Sequence, residues 1–167
     1  MKSNLIKKIT FGSLFAAIIF VSTFFIAIPL PTGYANLGDC FVILAGIILG
    51  PYGIAAAAIG SCLCDILTGA YMIYAPATFI IKGVMAVMSY ILLIKKYTVV
   101  RHILTATLCE VIMVGGYFVY EFFVIGIGAA ALGSVIGNCM QGIVGIVASV
   151  IFYTVLNKTG VIKRIKL

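Results

Sequence analysis

From Ile9 to Ile28 the chain carries no charged side chain, and roughly 20 such residues are what a helix needs to cross the ~30 Å hydrocarbon core of a bilayer. Further apolar runs occupy about 53–70, 76–94, 103–125 and 132–156, with a shorter one at 40–50. Unpaired backbone amides and carbonyls are so costly in lipid that these segments must be helices or the strands of a closed barrel. The alternating pattern of barrel strands is absent. The expected fold is therefore all-α: one membrane domain over residues 1–167, with six transmembrane helices. A soluble domain is excluded by a composition in which 64% of residues are hydrophobic and 9% charged.

The 40–50 run is too short to span unaided, so a helix there is expected to be tilted or half-buried among its neighbours. Asn36 or Asp39 is suited to cap its start, and Gly50-Pro51 ends it. Pro76 stands at the first turn of the fourth helix, and residues 126–133 form a small-residue turn between the last two. The opening residues resemble a secretory signal in having a charged start and an apolar middle. No small-x-small cleavage site follows, and removal would leave an odd number of spans, so the segment is read as helix 1.

Every basic residue but Lys82 lies before helix 1 (Lys2, Lys7, Lys8), between helices 4 and 5 (Lys95, Lys96, Arg101) or after helix 6 (Lys158, Lys163, Arg164, Lys166). With six spans these places share one side, which the positive-inside rule makes cytoplasmic. Both termini are expected inside. The net charge of +7 thus reports topology and gives no support to nucleic-acid binding. Cys40, Cys62, Cys64, Cys109 and Cys139 are scattered through helices as small hydrophobes, and Cys62 and Cys64 point to different faces, so no metal site is expected.

Lys82 lies about 9 Å inside the layer at ~1.5 Å per residue, where an unpaired ammonium is costly. The acids available to it are Asp39, Asp65, Glu110 and Glu121. Asp65 is expected at similar depth on the neighbouring helix, either as an ion pair holding helices 3 and 4 in register or as a ligand contact. Glu110 is deeper, either a protonated packing residue or a functional group.

Helical spacing places Ser61, Asp65 and Thr68 on one face of helix 3, and Thr78, Lys82, Met85 and Ser89 on one face of helix 4. Glu110, Tyr117 and Glu121 do the same on helix 5, and Asn138, Gln141, Gly142 and Gly145 on helix 6. Stripes of this kind are penalised against lipid, so they are expected to face one another around an outward-opening cavity. Tyr34, Asn36, Tyr71 and Tyr74 from the outer loops would form its lid. The alternatives are ordinary ones: interhelical hydrogen bonds for Asn138 and Gln141, an interfacial belt for the tyrosines, a helix cap for Asp39. On helix 1, Gly12 and Ala16, with Ser13 and Ala17 beside them, give a small-residue face for a partner helix or for packing within the chain.

The segments "GYANLGDCFVILAGIILGPYGIAAAAIGSCLCDILTG" and "YAPATFIIKG" resemble the substrate-binding S components of energy-coupling factor (ECF) transporters, the bacterial and archaeal vitamin importers. The resemblance covers nearly the whole chain and points to the branch that includes the riboflavin-like, pyridoxine and hydroxymethylpyrimidine S components. It implies a subunit of the bacterial cell membrane that captures a vitamin from outside with high affinity. It also implies partners: a transmembrane T subunit, on which helix 1 docks through the positions of Gly12 and Ala16, and two ATPases. Sites in the family are built from the outer loops and the outer halves of helices 4 to 6. The chain has no Walker A motif, so ATP is left to those partners.

Asp39, Asp65 and Glu121 against Lys82 leave the outer half about two negative charges if all ionise, which disfavours phosphorylated or carboxylated ligands. Asn36, Asn138, Gln141, Tyr74 and Tyr117 suit a small hydroxylated heteroaromatic ring, best a vitamin B6 compound or hydroxymethylpyrimidine, with the larger riboflavin as the alternative. No cofactor is expected. An enzyme is disfavoured, since neither G-x-S-x-G nor H-E-x-x-H occurs and His102 lies in the inner loop as an interfacial residue. A self-sufficient transporter or channel is the rival reading, disfavoured by the absence of a visible inverted repeat.

Overall fold

The computed structural model describes residues 2–30, 33–94 and 97–165, with side chains undescribed at 2–4, 27–35 and 163–164. Helices dominate in chain order: α1 (Lys2–Phe24), α2 (Gly38–Leu49), α3 (Pro51–Thr68), α4 (Ala75–Leu93), α5 (Val99–Val119), α6 (Ala131–Lys158) and a short α7 (Val161–Ile165). Between α1 and α2 stand two strands, β1 (Ala27–Leu30) and β2 (Gly33–Asn36).

That hairpin corrects the expected helix 1. The helix ends at Phe24, and Ala27 to Leu30 pair antiparallel with Asn36 to Gly33. Pro29 is the physical reason, because a proline disfavours helical backbone at the residue before it and supplies no N–H to a helix. Pairing β1 with β2 meets the backbone hydrogen-bonding demand that the helix would otherwise have met.

Among the described residues, five helical stretches are long and apolar enough to cross a membrane: Leu5–Phe24, Pro51–Thr68, Met72–Leu93, Val99–Ile125 and Gly128–Lys158. α2 is the exception to the six expected. Its 12 residues reach only ~18 Å. It is nevertheless central: ten of the twelve are buried, and it contacts α1, α3, α4 and α6. A helix apolar all round belongs in the interior, and Val42, Ile43, Leu44 and Ala45 are all fully enclosed. At its end Gly50 takes a left-handed φ of 57°, a conformation cheap only for glycine, and Pro51 opens α3.

In lipid the contact between helices is driven by close packing, and small residues permit it. A Cβ on Gly60 of α3 would lie 2.5 Å from the Ala16 carbonyl oxygen of α1, and one on Gly46 of α2 would strike the Ala86 carbonyl and Ser89 hydroxyl of α4. α1 and α2 are held by these approaches. Ala16 is thus engaged within the chain. Gly12 is half-buried beside it, and the exposed small residues of α1 are Ser13 and Ala17.

Thr98 starts α5 a turn earlier than the apolar run suggests, its hydroxyl accepting from the Arg101 N–H at 3.2 Å. His102 therefore sits inside the helix rather than in an interfacial loop. It is fully buried, with its Nδ1 3.2 Å from the Tyr97 hydroxyl, while Tyr97 stacks on Tyr153 at 4.0 Å between centroids. Lys8 lies at this same end of α2 and α3, 5.4 Å from the Tyr52 ring centroid. The five cysteines are free thiols.

Candidate ligand-binding cavity

The opposite end of the bundle holds a cavity of about 280 Å³. Its floor is built outward from α2. Asn36, the last residue of β2, accepts the Gly38 N–H on Oδ1 at 2.8 Å, which secures the first turn of α2 and leaves Asp39 for other work. Asn36 Nδ2 donates to Gln141 Oε1 at 3.1 Å, and Gln141 Nε2 donates to Asp39 Oδ2 at 2.7 Å. Asp39 Oδ1 receives the Lys82 ammonium. One chain of bonds therefore ties the hairpin, α6, α2 and α4 together, with Lys82 only 5% exposed. The Lys82 Nζ also stands 5.6 Å from the Tyr117 ring centroid.

This pairing corrects the expected partner of Lys82. Hairpin geometry places Asp65 at a matching depth, but α2 enters between the helices and offers Asp39 directly, at 1% exposure. Asp39 consequently serves as the counter-ion and not as a helix cap.

The far wall comes from α3, α4, α5 and the turn before α4. The Thr78 hydroxyl lies 2.8 Å from the Tyr117 hydroxyl. Asp65 Oδ2 is buried without a hydrogen-bond partner among the described residues. Above it, Tyr74 donates to Glu121 Oε1 at 3.3 Å, and Ser134 donates to Glu121 Oε2. Glu121 stands near the start of a π-helical stretch, Tyr120–Ile125, into which the end of α5 widens. The Glu121 carbonyl then accepts from both Gly126 and Ile127 N–H. Such widened turns often mark functional sites. Tyr74 packs its ring near Tyr71, Tyr117 and Tyr120, at centroid distances of 6.2, 6.3 and 6.1 Å.

All nine residues expected at a site, Asn36, Asp39, Asp65, Tyr74, Lys82, Tyr117, Glu121, Asn138 and Gln141, line this one cavity. Ser61, Thr78 and Tyr71, on the expected stripes and lid, line it too, while the Tyr34 side chain lies outside what is described. Thr23, Ser134 and Gly137 also line it, and sequence reasoning passed over them. Ser134 was within reach, since it precedes Asn138 by four and Gln141 by seven and so extends the α6 stripe. Thr23 gave no such signal: its hydroxyl satisfies itself on the Ile19 carbonyl at 2.8 Å.

Glu110 sits behind the floor and does not line the cavity. It is 4% exposed, with neither oxygen hydrogen-bonded among the described residues. Gly142 and Gly145 of α6 make room for it, for a Cβ on Gly145 would lie 2.5 Å from Glu110 Oε1 and 3.2 Å from the Asp39 Cβ. Among the described residues no group of three or more His, Cys, Asp or Glu side chains is arranged to hold a metal.

An apolar helical bundle with a polar, partly open cavity at one end defines a membrane-embedded solute-binding protein. A family model described as the S component of the ECF-type riboflavin transporter matches residues 3–158, so the chain belongs to the ECF S-component family. It is a transport subunit and not an enzyme. A protein of Pyrococcus woesei, described as an uncharacterized protein in gap 3'region, is 30% identical over 130 residues, covering 76% of this chain and 86% of that one.

Proposed function

We propose that the protein captures a small heteroaromatic vitamin, a B6 compound such as pyridoxine or hydroxymethylpyrimidine, from outside a bacterial plasma membrane. It then delivers the vitamin inward with an ECF T subunit and two ATPases. The observation that carries this reading is the cavity: fourteen polar side chains from the hairpin, helices α1 to α6 and the turn before α4 converge on it in a chain otherwise short of polar groups. Its volume of about 280 Å³ falls at or below the small end of ligand pockets, roughly 300–1,000 Å³, which favours a single small ring over a flavin. Among the described residues, the basic side chains other than Lys82, which are Lys7, Lys8, Arg101 and Lys158, belong to helix ends away from the cavity, and the positive-inside rule then favours a cavity facing outward with both termini cytoplasmic. Riboflavin is the second reading, favoured by the description of the matching family.

Docking to the T subunit is assigned to α1. Gly12 and Ala16 are the pair expected from the family, and Ser13 and Ala17 carry the small-residue spacing onto the exposed face of the same helix. Equilibrium dialysis of the purified chain against pyridoxine, hydroxymethylpyrimidine, thiamine and riboflavin tests the reading. Tight binding of pyridoxine or hydroxymethylpyrimidine supports it, binding of riboflavin alone moves the assignment to the second reading, and binding of none removes both.

A further inference from the structure

We infer that Asp65 is the specificity-determining residue of the cavity, and that the ligand is an unphosphorylated ring presenting an N–H or cationic donor to its carboxylate. The inference rests on the vitamin-binding reading and assigns the chemistry of that same site.

The charges lining the cavity lead to it. Lys82 is the one basic side chain among the lining residues, and its ammonium is engaged by Asp39 Oδ1. Asp39 Oδ2 is in turn engaged by Gln141. Both oxygens of Glu121 accept hydroxyl protons, from Tyr74 and Ser134. Asp65 differs from each of these, because its Oδ2 is buried and receives no donor among the described residues. A carboxylate left without a donor is unfavourable, and Asp65 lines a cavity large enough for a solute. A donor carried by that solute satisfies it.

The same arrangement excludes anions. A phosphate or carboxylate in the cavity would meet Asp65 and Glu121 with the only lining cation already neutralised, and like charges brought together without water are strongly repelled. The tyrosine rings fit the converse preference. Tyr74 and Tyr71 stand 6.2 Å apart at their centroids in the cavity wall, and aromatic faces attract a cationic or protonated ring.

The test is titration calorimetry on purified wild-type protein and on Asp65→Asn, with pyridoxine, pyridoxine 5′-phosphate, hydroxymethylpyrimidine, its phosphate ester and riboflavin as probes. The wild type is expected to prefer one unphosphorylated ring over its phosphate ester by roughly 100-fold or more, a comparison that needs no variant. Asp65→Asn keeps the shape but removes the acceptor charge, and is expected to weaken that ring by roughly tenfold or more without lowering the melting temperature. A phosphate ester bound as tightly as its parent ring overturns the inference, as does undiminished affinity in Asp65→Asn, and either result leaves the vitamin reading standing. No binding of any probe to the wild type overturns the vitamin reading and this inference together.

Discussion

Asp39 and Asp65 face the same cavity from neighbouring helices, and the structure treats them in opposite ways. The Asp39 carboxylate is saturated by Lys82 and Gln141. Asp65 keeps a buried oxygen without a donor among the described residues. On the proposed reading the difference separates scaffold from recognition: the Asp39 wall joins the hairpin, α2, α4 and α6 into one bonded unit, whereas the Asp65 wall is left incomplete. On that reading Lys82, the most conspicuous intramembrane charge in the sequence, belongs to the scaffold.

The largest effect expected from this contrast is on stability at Lys82. Lys82→Met strands a buried carboxylate, which costs ~3–5 kcal/mol when a buried pair loses one partner, and differential scanning fluorimetry in detergent should record a marked fall in melting temperature. Adding Asp39→Leu should recover much of the loss, since replacing both members of a buried pair with apolar groups is often neutral. A stable Lys82→Met protein that merely fails to bind would transfer Lys82 to the recognition wall. Gln141→Met is next: it leaves Asn36 Nδ2 and Asp39 Oδ2 unmatched and should cost ~1.5–3 kcal/mol, as for hydrogen bonds to charged groups.

Gly145→Ala probes the back of the same wall. The added Cβ lies 2.5 Å from Glu110 Oε1, and overpacking of this kind costs ~1–3 kcal/mol, read again as a lowered melting temperature. The smallest stability effect is expected at Ser13 on the exposed face of α1, where Ser13→Leu should stay within ~0.5 kcal/mol of wild type. That variant should still bind vitamin yet fail in cellular uptake with the T subunit and ATPases present. Uptake that persists would remove Ser13 from the docking face.

Much of this was legible beforehand, for reasons that differ by element. Helices α3 to α6 were fixed by run length and by Pro51 and Pro76, signals that survive any tertiary arrangement. The polar stripes were equally plain, because helical periodicity determines which side chains share a face. Periodicity does not determine which neighbour a face meets, and so Lys82 was matched with Asp65 when α2 in fact supplies Asp39. The hairpin was hidden for another reason: residues 27–30 are as apolar as the helix before them, and hydropathy alone does not separate strand from helix. The π-helical stretch at Tyr120–Ile125 left no trace in the spacing, although Glu121 lies within it. Glu110 was read as either packing or function, and its glycine cradle in α6 places it behind the site.

The most direct test of the whole account is the mass spectrum of small molecules released from protein purified in mild detergent. The account predicts a near-stoichiometric aromatic nitrogen heterocycle that carries no phosphate and rebinds to the emptied protein. A phosphorylated or carboxylated compound recovered in its place, and rebinding as tightly, would contradict it.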